Sequence, residues 1–93
     1  MATLKSRISV GHNVQFQEVD GEAVLLNLES GKYFGLDQVG TRMWQLLTEH
    51  GQVESALRLL LQEYDVTEDR LQQDLIALID QLASHGLAQV ADA

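Results

Sequence analysis

The residues in this 93-residue chain with most scope for chemistry are three histidines, fourteen carboxylates and seven glycines; cysteine is absent. His12, His50 and His85 are too far apart to pair at metal-ligand spacing. No metal site or catalytic base is assigned to them. Gly31, Gly35 and Gly40 form no phosphate loop, because no Gly-Lys-Ser/Thr follows and no parallel βαβ context surrounds them. Without Cys there is neither a thiolate ligand nor a sulfur nucleophile. The acids are scattered along amphipathic faces, which suits solvation better than paired acid and base work. The chemistry therefore reads as binding: no enzyme activity, no cofactor and no metal are expected.

Binding surfaces are set by secondary structure, and the spacing supplies it. Val14 to Val19 begins with strand alternation and ends at Asp20-Gly21, a dipeptide suited to the positive φ angles of a tight hairpin turn. Glu22 to Leu28 supplies a second strand, Ser30-Gly31 a second turn, and Lys32 to Leu36 a third strand. With two-residue loops at both turns, Phe16 falls opposite Leu25, Leu25 opposite Leu36, and Asn27 opposite Phe34. Val24, Leu26, Leu28, Tyr33 and Gly35 then share the other face, which is too apolar to be left open without a reason.

From Asp37 the period changes to 3.6. Asp37 caps a first helix with Val39, Met43, Trp44, Leu46 and Leu47 along its apolar side, ending near Gly51. Val53, Leu57, Leu60, Leu61 and Tyr64 mark a second helix. Thr67 caps a third that runs to about His85, and Gly86 is placed to end it in a left-handed conformation. The third helix has a wide apolar arc centred on Leu71, Leu75, Leu78 and Leu82, bordered by Arg70, Asp74, Ala77 and Gln81. An apolar floor with a polar rim suits an extended peptide. Leu87 to Val90 is a candidate final strand.

Length allows one domain with a small core and a shallow groove rather than a deep pocket. Six Lys and Arg against fourteen Asp and Glu give a formal net charge of -8, which opposes nucleic acid and anionic lipid. No run approaches the roughly 18 apolar residues of a membrane span, and the first ten residues lack a signal-peptide core. A cytoplasmic location is expected. The fold class is α+β and winged helix-turn-helix-like, a three-stranded antiparallel sheet followed by three helices. Residues 1–13 are expected to be a flexible segment, 14–90 the domain and 91–93 a tail.

Val24-Leu25-Leu26-Asn27-Leu28-Glu29-Ser30-Gly31-Lys32-Tyr33-Phe34-Gly35-Leu36-Asp37, then Gly40 and Met43-Trp44-Gln45-Leu46-Leu47, resembles the signature of the PqqD-like family. Asp74-Leu75, Leu78-Ile79, Leu82 and Gly86-Leu87 resemble its closing helix. The resemblance implies a non-catalytic recognition element for ribosomally made, post-translationally modified peptides. Such an element holds a precursor's leader as an added strand and presents it to a modifying enzyme or leader protease. Carried onto this chain, the peptide-binding residues are Tyr33, Phe34, Gly35 and Leu36 on the strand, with Arg70, Leu71, Asp74, Leu75 and Leu78 on the helix. The Gly-Lys-Tyr-Phe-Gly-Leu-Asp and Tyr64-Asp65-Val66 stretches are most similar to the stand-alone lasso-peptide type. The alternatives are a PqqD proper of pyrroloquinoline quinone biosynthesis, or a structural or regulatory domain that forms a homodimer through the same strand.

The charge balance generates a prediction about nucleic acid. The third helix, Glu68 to Ser84, carries Glu68, Asp69, Asp74 and Asp80 against Arg70 alone, and would place net negative charge against phosphates. No saturable duplex-DNA complex is expected in a gel shift at micromolar protein and about 150 mM salt, conditions under which non-specific DNA binders associate at ~10⁻⁴ to 10⁻⁶ M.

Overall fold

A computed structural model describes residues 2–92. The elements in chain order are β1 (Ser6–Val10), β2 (Val14–Val19), β3 (Glu22–Asn27), β4 (Tyr33–Leu36), α1 (Gln38–His50), α2 (Val53–Glu63), α3 (Glu68–Ser84) and β5 (Ala88–Asp92). β2, β3 and β4 form an antiparallel meander, while β1 and β5 pair in a separate two-stranded ribbon. The α+β order of a three-stranded sheet followed by three helices is as expected.

Local chemistry accounts for most boundaries. Asp20 and Gly21 adopt φ of 55° and 82°, closing a two-residue hairpin that pairs Val19 with Glu22 and Phe16 with Leu25. The Asp37 carboxylate accepts from the Gly40 amide at 2.7 Å to start α1, and the Thr67 hydroxyl accepts from Arg70 to start α3. Gly51 and Gly86 leave the helices at φ of 74° and 72°.

The second turn differs from expectation. It is a four-residue loop, Leu28–Gly31, because the Asn27 side-chain oxygen accepts from the Glu29 and Ser30 amides at 3.0 and 3.2 Å. Gly31 then donates back to the Asn27 carbonyl at 2.8 Å. Leu25 therefore faces Phe34 rather than Leu36, and the Asn27 amide meets Lys32 rather than Phe34. A slip of two residues keeps every side chain on its expected face.

Residues 1–13 are not simply a flexible segment. β1 lies antiparallel to β5, with Ser6 and Ile8 buried and the Ile8 amide bonded to the Gly51 carbonyl at 2.8 Å. Of the expected tail, Ala91 and Asp92 continue β5, while Ala93 and Met1 lie outside the described residues.

The core joins Ala23, Leu25 and Leu36 from the sheet to Met43, Trp44, Leu46 and Leu47 of α1, then to α2 and α3. On α2 the buried residues are Val53, Ala56, Leu57 and Leu60; Leu61 and Tyr64 are half-buried, and Val39 of α1 is exposed. Arg42 holds α1 to α2 through two 2.8 Å bonds to the Glu63 carboxylate. That hydrogen bonding keeps the Glu63 carboxyl below its ordinary pKa. No described helix is long and apolar enough to cross a membrane.

Leu60 has no exposed surface, whereas Leu61 borders solvent. Leu60→Ala is expected to cost about 2 to 5 kcal/mol, and Leu61→Ala clearly less. Thermal melts of the two variants check this, and equal losses would contradict the assigned face.

Candidate peptide-binding groove

β4 is paired on one side only. Alternation along an antiparallel ladder fixes which of its main-chain groups point outward. Because the Asn27 amide donates to the Lys32 carbonyl, the bonded pairs beyond it are Leu25 with Phe34 and Ala23 with Leu36. The N–H and C=O groups of Tyr33 and Gly35 consequently face the open edge. Phe34 and Leu36 send their side chains inward, and Tyr33, 75% exposed, sends its ring to the outer face. At Gly35 an added Cβ would meet nothing within 4 Å, so the strand is bare there.

The inner face of β4 meets the end of α3. The Phe34 and His85 rings meet at 5.3 Å between centroids, tilted by 56°. The Asn27 side chain donates to the His85 carbonyl at 3.3 Å, tying the loop end of the sheet to the end of α3. Further along, Asp37, Val39, Gly40 and Met43 oppose Asp74 and Leu78 across a recess of about 350 Å³. A second recess of about 300 Å³ continues past Val39 and Asp74 to Tyr64, Val66, Arg70 and Leu71. Together these form one groove between the start of α1 and one side of α3, beginning at Asp37 immediately after β4.

The structure assigns the expected site residues unequal places. Tyr33, Gly35, Arg70 and Asp74 are exposed, and Phe34 and Leu78 are half-buried. Leu36, Leu71 and Leu75 are core residues; Leu75 has no exposed surface and Leu71 reaches the groove only at its edge. The α3 core is Leu71, Leu75, Ile79 and Leu82, which turns Leu78 toward the groove. At about 100° per residue, Leu78, His85 and Asp74 follow one another around the helix away from that core. His85 was missed as a groove residue although it shares a face with Leu78 at i+7 and with Asp74 at i+11. Val39, Met43 and Tyr64 were also missed, because their helical spacing reads as core, and Val66 because it falls in the break between α2 and α3.

The groove's charges are few. Arg70 and Asp74 pair at 3.5 Å on an exposed surface, a contact that contributes little by itself. His85 Nδ1 lies 2.7 Å from the Gln81 carbonyl, which fixes the ring against the helix end. Among the described residues no three His, Asp or Glu side chains are grouped to hold a metal. The arrangement offers main-chain donors and acceptors above an apolar trough, which is the chemistry of strand addition.

The family profile described as "Coenzyme PQQ synthesis protein D (PqqD)" matches residues 22–88, from the start of β3 to the start of β5. The chain belongs to the PqqD family. Two solved structures share the fold. TbiB1 in complex with the TbiA(beta) leader peptide is 36% identical with a TM-score of 0.82, over 87% of this chain and 94% of that one. Lasso peptide synthetase B1 complexed with the leader peptide is 25% identical with a TM-score of 0.78, over 91% and 98%. No curated protein matches at a significant level. The matched span of the PqqD family contains β3, β4 and all three helices, and so every residue of the groove.

Proposed function

We propose that this chain is a non-catalytic adaptor that binds the leader of a ribosomally made precursor peptide along β4 and presents it to a modifying enzyme or leader protease. The observation that carries this reading is the open edge at Tyr33 and Gly35 beside the α3 trough, on a fold shared with two leader-peptide complexes. Those relatives favour the lasso-peptide type over quinone-cofactor synthesis. The cytoplasm, where precursor peptides are made, is the place for such a protein.

An added strand exchanges main-chain bonds with Tyr33 and Gly35, while its alternate residues, next to Phe34 and Leu36, turn inward to the trough. Apolar anchors two residues apart in the leader are what this spacing accepts. They enter beside Phe34 and Leu78, with Met43 and Val39 further along. Arg70 and Asp74 stand at the rim, where an exposed pair contributes only about 0.2 to 1 kcal/mol, so the anchors dominate affinity. Leu71 and Leu75 support the groove from behind.

Calorimetric titration of the cognate leader tests the reading with Leu78→Asp and Asp74→Ala, both checked for native circular dichroism. Leu78→Asp is expected to abolish binding and Asp74→Ala to weaken it less than about fivefold. Unchanged affinity in folded Leu78→Asp would remove the groove from the account. A leader of the quinone-cofactor precursor, titrated alongside, separates the two pathway types.

A further inference from the structure

β2 presents a second open edge, on the side of the sheet away from β4. The Leu28 amide donates to the Asn13 carbonyl at 2.8 Å, so alternation makes Gln15, Gln17 and Val19 the residues bonded to β3. Val14, Phe16 and Glu18 therefore direct N–H and C=O groups outward. Over its six residues the strand contains no Pro and no Lys, and its one charged side chain, Glu18, is held by Gln45 of α1 at 2.8 Å. Its central side chain is Phe16, 40% exposed and stacked on Trp44 at 6.5 Å.

We propose that two copies of this chain pair antiparallel along their β2 edges about a two-fold axis at Phe16, giving a six-stranded sheet that leaves both β4 edges open. The register is self-complementary. Phe16 meets Phe16 of the second copy, and Val14 meets Glu18 in both directions, so all three outward-facing residues of each strand find a main-chain partner. The same register moves the acidic hairpin end, Glu18, Asp20 and Glu22, over His12, Asn13 and Val14 of the second copy instead of against another acidic end. For a chain of net charge -8, that placement limits the repulsion that would otherwise oppose association.

α1 lies beneath the whole sheet, reaching β2 through Trp44 against Phe16 and Gln45 against Glu18, and the end of α3 stands against β4 through the Phe34–His85 contact. An interface built on one edge strand from each copy is small, and the pairing is therefore a weak and reversible one. This placement differs from a dimer through β4, which would compete with a bound peptide. A dimer through β2 carries two grooves at once and binds a doubled or tethered ligand with an avidity one copy lacks.

Sedimentation of the full chain from about 10 μM to 1 mM tests the proposal without any leader, so its outcome is separate from that of the leader reading. The weight-average mass is expected to rise from 10.3 kDa toward twice that value. Phe16→Lys, which sets two like charges on the axis, is expected to remain monomeric with native circular dichroism. Gly35→Pro, which removes an outward N–H from β4, is expected to dimerise as the parent does. The chain has no cysteine, so Phe16→Cys supplies a measurement independent of the Lys variant. Facing Cα atoms about 5.5 Å apart allow a disulfide, and oxidation is expected to link Phe16→Cys at least about tenfold faster than Gln89→Cys on β5. A chain that stays monomeric throughout, a dimer lost in Gly35→Pro, or equal cross-linking of the two Cys variants would each overturn the proposal.

Discussion

A β-strand hydrogen-bonded on one side only leaves every second residue with its main-chain groups turned outward, and β4 is such a strand. Phe34 and Leu36 satisfy their amides and carbonyls against β3, while Tyr33 and Gly35 rely on water or on a visitor. The groove follows from that constraint. Asn27 fixes the loop before β4, Asp37 caps the helix after it, and the Phe34–His85 contact seats its inner face on α3. If β4 were covered, no open strand edge would adjoin the trough beside α3, and a peptide held by its backbone could not reach it.

Energetically, the two halves of the groove have different work. Main-chain bonds made by an added strand replace bonds to water, and their net contribution is modest, about 0.5 to 1.5 kcal/mol each. They set direction and register for almost any sequence. Discrimination falls to the trough, where Leu78, Val39 and the half-buried Phe34 ring offer apolar area that water leaves on binding. A recess of about 670 Å³ over Gly35, Val24 and the hairpin lies on the outer face of the sheet, away from this trough. It exists because Gly35 has no side chain and because no described element covers that face.

Features decided by neighbouring residues were legible in the sequence. Asp20-Gly21, the Asp37 and Thr67 caps, and Gly51 and Gly86 act within a few residues of themselves, and each stands where expected. The loop after β3 was misjudged because Asn27, not Ser30-Gly31, organises it by accepting two amides with one side-chain oxygen. β1 was invisible because its partner β5 lies about 80 residues away, and no local pattern in Ser6 to Val10 announces such a pairing. The period of α3 revealed an apolar arc and a polar border but not the direction of the core. A rotation of less than half a turn separates a Leu75 on the groove floor from the buried Leu75 observed. His85 went unread for the opposite reason: a lone histidine at a helix end has an ordinary explanation until the Phe34 ring is found against it.

The central claim is that the edge of β4, at Tyr33 and Gly35, is where a leader is held. Amide hydrogen exchange, resolved residue by residue by NMR with and without a saturating cognate leader, tests it most directly. In the free protein the Phe34 and Leu36 amides are expected to be protected, and those of Tyr33 and Gly35 to exchange quickly. In the complex all four are expected to be protected, with Tyr33 and Gly35 slowed by at least about tenfold. A saturated complex in which Tyr33 and Gly35 exchange as fast as in the free protein would contradict the account.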